Sequence, residues 1–227
     1  MNLKILTELD RIFKNNPDLV NNKHTLTQVV NGAFDIEIPL LNTSNIYDLC
    51  DIIDDAVLAR YFGTVWQAET KKYKYSGLAI IDEVNEMNPE AVIDIGCGFN
   101  EFSGKIQNLI GIDPYNKRAD FKATVLTYQT DTKYDVAICL GSINFGSSDK
   151  IIAEVTAAVN LVKPGGLLYF RVNPGIQHTK KEAKWINFYD WDPVFISNLS
   201  IALGCDLVML RQDLGDRFYF VLRKHKG

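Results

Sequence analysis

Apolar positions recur at helical spacing through the first third of the chain and condense into short solid runs afterwards. Leu3, Ile5, Leu6, Leu9, Ile12 and Phe13 fall near the helical period, and Asn15-Asn16-Pro17 closes the segment, which predicts a helix over 3–13. Phe34, Ile36 and Ile38 alternate with Asp35 and Glu37, a strand pattern stopped by Pro39. Ser44 or Asn45 is placed to cap a helix through Ile46, Leu49, Ile52, Ile53, Ala56, Val57 and Ala59. Its other face, Asp48, Asp51, Asp54 and Asp55, reads as solvated. A further helix over about 76–87 leads to Asn88-Pro89.

From Ala91 onward nearly continuous apolar runs appear at 91–95, 109–112, 134–140 and 166–172, as expected of parallel strands buried on both faces. A helical stretch, 149–162, precedes the last of them and closes at Lys163-Pro164-Gly165-Gly166. A helix near 193–203 follows. Two closely spaced strands, 205–211 and 217–222 around Gly215, then suggest an antiparallel hairpin. The fold class is α/β: a doubly wound, mostly parallel sheet with a C-terminal antiparallel hairpin and an N-terminal helical extension. The expected division is 1–75, a mainly helical extension or lid, and 76–227, a Rossmann-like domain.

Composition narrows the classes. With 227 residues the chain can bury a full core without staples. Cys50, Cys97, Cys139 and Cys205 are scattered without a CxxC, and there are three histidines, which argues against a metal site or a disulfide framework and for a reducing cytoplasm. No run approaches the roughly 18 apolar residues of a membrane helix, and MNLKILTELDR meets charge too early for a secretion signal. Residues 1–90 hold 8 basic and 14 acidic side chains, and the remainder 16 and 14, for a net −4. Neither part is a polycation, so non-specific nucleic-acid binding is not implied.

The chemistry centres on 92–100, Val-Ile-Asp-Ile-Gly-Cys-Gly-Phe-Asn. A buried strand runs into a glycine turn with an acid just before it, at the sheet edge where α/β proteins bind ligands. Gly96 and Gly98 lack Cβ atoms and let a ligand approach the backbone, and a helix after the turn would aim its amides there. The next strand ends in Gly111-Ile112-Asp113, an acid suited to a ribose diol. A dinucleotide fingerprint needs a third glycine where this chain has Glu101.

Four segments in order, Val92-Ile-Asp-Ile-Gly-Cys-Gly, Ile110-Gly-Ile-Asp-Pro, Tyr134-Asp-Val-Ala-Ile-Cys-Leu-Gly and Leu161-Val-Lys-Pro-Gly-Gly-Leu-Leu, resemble the class I S-adenosylmethionine-dependent methyltransferases. The resemblance spans about 90–222 and implies a seven-stranded sheet, S-adenosylmethionine as cofactor, and methyl transfer by in-line displacement to an unidentified acceptor. It also implies that Asp94, Gly96, Cys97, Gly98 and Asn100 surround the methionine portion. Asp113 would hold the ribose, Thr124 and Val125 would lie at the adenine, and Leu140 and Gly141 would lie beneath the sulfonium. Asn100 stands where the family often has a third glycine, and Thr124 where it often has an aspartate. Residues 116–120 are too short for the usual helix after the second strand.

Catalytic candidates are Asn144, to orient an acceptor; Phe145, to wall the pocket or stack; and His178, as a base. Each also has a purely structural reading. Arg171 or Asn173 is suited to an acidic or polar substrate, or Arg171 to a core-edge carboxylate. Lys180, Lys181 and Lys184 with Trp185, Phe188, Tyr189 and Trp191 suit a substrate lip, single-stranded nucleic acid or an assembly contact. The competing reading of the whole is a methyltransferase-fold protein with lost catalysis, acting as a binding or structural subunit through the N-terminal extension or residues 180–191. The short Gly-Ile-Asp-Pro-Tyr core is similar to small methyltransferase-like proteins of tailed phages, which would place the protein in a host cytoplasm or a virion.

Overall fold

Asparagine caps open the helices of the N-terminal part: α1 (Leu3–Asn15) on Asn2, α2 (Lys23–Phe34) on Asn22 and α3 (Ile46–Arg60) on Asn45, each side-chain oxygen accepting from backbone N–H groups of the first turn. The computed structural model describes residues 1–67 and 70–226. It divides into two units, Met1–Trp66 with Gln177–Asn187, and Gln67–Ile176 with Phe188–Gly227. The division thus falls earlier than position 75, and the first unit recruits a later segment; the rest of the expected boundary region, residues 68 and 69, lies outside the described residues, as does residue 227.

In the first unit Ile5, Leu9, Leu26, Val30, Leu49 and Ile53 are fully buried, and Asn2 Nδ2 donates to Asp54 Oδ1 (2.7 Å) and to the Trp185 carbonyl (2.6 Å). The alternation at 34–38 is not a strand. Phe34 ends α2, Asp35 adopts the left-handed conformation (φ 55°), and the Asn31 carboxamide clamps both the N–H and the C=O of Ile38. The apolar side chains cover the helix end, and no neighbouring strand is needed to satisfy the backbone.

The second unit is built on a six-stranded sheet of β1 (Val92–Ile95), β2 (Leu109–Ile112), β3 (Tyr134–Leu140), β4 (Val162–Val172), β5 (Cys205–Asp213) and β6 (Arg217–Lys224), in the order β2-β1-β3-β4-β6-β5. The first four strands are parallel, and β6 is antiparallel to β4 and β5, the hairpin expected from the sequence. One face packs on α5 (Ser148–Leu161) and α6 (Pro193–Ala202) through Ile151, Val155, Ile196 and Leu199. The other meets Ile80 and Val84 from a 3-10 turn (Gly77–Ile80) and α4 (Ile81–Glu86), so the helix expected over 76–87 is short and begins tightly wound. No helix among the described residues is long and apolar enough to cross a membrane.

Two expected elements are replaced. The seventh strand is reduced to one bridge, Ile112 with Phe121. Beside it Asp120 Oδ2 takes the Gly111 N–H (2.7 Å), while the Gly111 carbonyl accepts from Asp120 and Phe121. The outer edge of β2 is already satisfied there. Nor does a helix follow the glycine turn. Residues 98–108 run as successive turns, because Asn100, Gly104 and Asn108 all take positive φ (55°, 72° and 54°), which interrupts a right-handed helix.

Candidate functional site

The site lies at the carboxyl edge of β1, β2 and β3. Asp94 closes into the sheet at 2% exposure, and its Oδ2 has no hydrogen-bond partner. Burial, reinforced by the charge of Asp113, pushes its carboxyl up to about 8. Four buried side-chain polar atoms lack a partner among the described residues: Asp94 Oδ2, Asn100 Oδ1, Ser142 Oγ and Arg171 Nε. The first three sit on or against the first glycine turn. Native proteins seldom leave buried polar atoms unpaired, so such a cluster is a candidate place for a polar ligand.

Gly96 (φ 71°) is required by the protein itself as well as by any ligand: a Cβ there would come 2.2 Å from Ser142 Cβ. Cys97 and Asn100 pack onto Gly111, and burial raises the Cys97 thiol far above its ordinary range, which makes it a filler rather than a nucleophile. Asp113, 7% exposed, accepts from Gly98 N (3.0 Å) through Oδ2 and from Tyr115 N (2.8 Å) and Asn116 N (2.7 Å) through Oδ1. Three backbone donors on four acceptor positions leave it one further bond, on Oδ2, where a ribose diol asks for two. Its first duty is to tie the glycine turn to the end of β2.

The remaining candidates separate. Val125 is buried in the core face shared with Ile112, and the Thr124 hydroxyl lies 3.1 Å from that of Thr127 inside a local turn. Leu140 ends β3, and the space a Cβ on Gly141 would enter is open. Gly141 N donates to the Arg171 carbonyl (2.9 Å), which ties the end of β3 to β4. Asn144 is buried, and its Oδ1 accepts from Asn173 N (2.7 Å) while its carbonyl accepts from Tyr189 N (2.8 Å). It therefore clamps the loops after β3 and β4, with one acceptor position of its carboxamide oxygen committed to that task. Phe145 is half-buried with its ring 5.4 Å from that of Phe188. His178 belongs to the first unit, with Nδ1 2.9 Å from the Tyr61 hydroxyl, whereas Asn144 and Phe145 belong to the second. Sequence pattern gave no sign of this partition.

Trp185 packs against Phe34 in the first unit, with ring centroids 4.8 Å apart and the planes tilted by 57°. Tyr189 and Trp191 pack with Phe195 in the second, where Trp191 Nε1 donates to the Ile143 carbonyl (3.1 Å). Trp191 is a core side chain, whereas Trp185 and Tyr189 are half-buried. Among the described residues no group of His, Cys, Asp and Glu is placed to hold a metal ion.

Replacing Asn144 by alanine strands the buried Asn173 N–H. We expect a loss of about 1–3 kcal/mol in stability, read as a lower urea midpoint, with any loss of function following the loosened loops.

No family model matches the chain, and no curated protein matches it. Solved structures do. A 1,6-didemethyltoxoflavin-N1-methyltransferase from Burkholderia thailandensis, with bound 1,6-didemethyltoxoflavin and S-adenosylhomocysteine, superimposes with a TM-score of 0.57 at 14% identity, covering 84% of this chain and 93% of that one. An S-adenosylmethionine-bound amino pentose methyltransferase from Micromonospora echinaspora gives 0.50 at 15% identity, over 76% and 96%. An S-adenosylmethionine-dependent methyltransferase from Clostridium acetobutylicum gives 0.50 at 12%, over 80% and 100%. The protein has the fold of the class I S-adenosylmethionine-dependent methyltransferases, in a version with six strands.

Proposed function

We propose that the protein binds S-adenosylmethionine at the carboxyl edge of β1 and β2 and transfers its methyl group by in-line displacement to an acceptor seated beyond Gly141. The observation that carries this reading is the trio of unpartnered buried atoms, Asp94 Oδ2, Asn100 Oδ1 and Ser142 Oγ, around the glycine turn. The donor set suits the cofactor. Asp94 offers a carboxylate to the methionyl ammonium, the last acceptor position of Asp113 takes one ribose hydroxyl, and half-buried Leu140 at the end of β3 supplies apolar wall. When bound, the cofactor supplies an electrophilic methyl on a sulfonium, so the protein's work is to align an acceptor and exclude water. A second reading, a binding or structural subunit without catalysis, draws on the same chain's economy: Asp113 is largely spent on backbone donors, and the Asn144 carboxamide oxygen on Asn173. Calorimetric titration of the full-length protein with S-adenosylmethionine separates the two. One-to-one binding is expected, with the product S-adenosylhomocysteine competing for the same site; silence toward both would leave the subunit reading.

A further inference from the structure

The fourth unpartnered atom lies outside the cofactor site. Arg171 is the penultimate residue of β4, directly beside Leu140 in register, and its side chain is 13% exposed. Across the sheet Arg171 pairs with Tyr219, and Tyr219 with Arg211, while Arg217 begins β6 opposite Asp213. The Arg171 guanidinium lies 4.0 Å over the Tyr73 ring, and its Nη2 donates to the Leu214 carbonyl (2.8 Å). Its Nε stands 3.6 Å from Asp213 Oδ2, an ion pair too long for a hydrogen bond.

Asp213 takes its hydrogen bonds from other groups. It accepts from Ser76 Oγ (2.5 Å), Lys74 N (3.2 Å) and Leu214 N (2.8 Å), and these bonds, with the charge of Arg171, keep its carboxyl low despite burial. Arg217 is close enough that its charge and that of Arg171 oppose each other, and burial lowers both guanidinium groups. Lys74 and Arg211 add positive charge nearby, each 5.0 Å from the Tyr75 ring centroid. Asp213, and Asp216 from the hairpin turn, are the acids whose fields reach this group. The acid beside Arg171, Asp213, thus takes its hydrogen bonds elsewhere, while Arg217 lies in the field of Asp216 and donates from Nη1 to the Gly215 carbonyl (3.2 Å). Such an arrangement is costly without a further anion, and the fork of an arginine matches a planar carboxylate or a phosphate.

We propose that Arg171 and Arg217 form the anchor for an oxyanion, a carboxylate or a phosphate, on the molecule this protein methylates. The substrate meaning rests on the methyl-transfer reading above. Neighbouring strands lie about 4.8 Å apart, so the anchor on β4 and β6 stands one to two strand spacings from Gly141. The acceptor atom and the anionic group would then be about 5–10 Å apart, the span of a small acidic metabolite or a nucleotide-sized compound.

The test is side-chain NMR on isotope-labelled full-length protein without cofactor, titrated with inorganic phosphate and, separately, with acetate, at an ionic strength held constant with chloride. The Arg171 Nε–H resonance should move saturably with at least one of them. Preference for phosphate marks a phosphorylated acceptor, and preference for acetate a carboxylate. Arg217→Gln should weaken the response about tenfold or more. If that variant does not fold, Arg217→Lys, which keeps the charge and loses the fork, should weaken it severalfold. Unsaturating drift, or equal affinity in wild type and either variant, overturns the anchor. Because the titration omits S-adenosylmethionine, a saturable phosphate response alongside calorimetric silence toward the cofactor would overturn the methyl-transfer reading alone, and the converse the anchor alone.

Discussion

Binding of S-adenosylmethionine is expected to strip a proton from the protein below pH 8, and Asp94 is the group that loses it. Its carboxyl is buried with one oxygen unpartnered, and desolvation together with the Asp113 charge holds it at about 8. In the free protein at neutral pH it is therefore mostly protonated. A ligand bringing an ammonium group against it favours the anion, so affinity should climb with pH by up to about tenfold per unit and level off above 8. Calorimetry in buffers of different ionisation enthalpy reads the released proton directly. Asp94→Asn should abolish the pH dependence and weaken binding by about 2–3 kcal/mol at pH 8. The stability of the free protein carries the opposite slope. With a folded pKa above the unfolded value of about 3.9, Asp94 contributes most below pH 4, and that contribution is lost as pH rises through about 8. Glu154, pushed up to about 7 by burial against the opposing pull of Lys150, acts with the same sign. The melting temperature should fall from pH 5 to pH 8 in wild type and less steeply in Asp94→Asn. An affinity indifferent to pH would remove Asp94 from the site.

The strands and the glycine turn are legible in the sequence because they obey strong local rules. Val92 to Ile95 is a solid apolar run around one acid, and Cys205 and Arg217 open strands too close together to be anything but a hairpin. The missing helix and missing strand are harder to read, because each turns on one polar side chain used in place of repeated backbone pairing. Asn100 and Asn108 hold left-handed conformations that a helix cannot absorb, and Asp120 caps the β2 edge with its carboxylate. The same blindness affects the site. Asn144 and Asp113 have the right chemistry to meet a ligand, but only the three-dimensional arrangement reveals that backbone N–H groups claim them first. Arg171 illustrates the converse: the core-edge carboxylate its sequence context offers is there, Asp213 at 3.6 Å, but only the three-dimensional arrangement reveals that this carboxylate takes its hydrogen bonds from Ser76 and backbone N–H groups.

Two glycines at the same sheet edge should respond to alanine in opposite ways. At Gly96 the new Cβ would meet Ser142 Cβ at 2.2 Å on a backbone with φ 71°. Overpacking and left-handed strain together should cost about 2–5 kcal/mol, so Gly96→Ala is a folding lesion, visible as a large drop in urea midpoint. At Gly141 (φ 96°) the Cβ meets nothing within 4 Å. Strain alone, about 1–3 kcal/mol, should leave Gly141→Ala folded at room temperature. Its methyl group, however, would project into open space at the end of β3, where the proposed reading seats the methyl-bearing sulfur and its acceptor. Gly141→Ala should therefore weaken S-adenosylmethionine at least about tenfold, the equivalent of one misplaced contact of about 1.4 kcal/mol, while unfolding cooperatively with an unchanged urea slope. A Gly141→Ala protein that binds the cofactor as tightly as wild type would move the reacting centre away from this strand end. The variant at Gly96 cannot make that distinction, because the turn it disrupts supports the sheet as well as the proposed cofactor site.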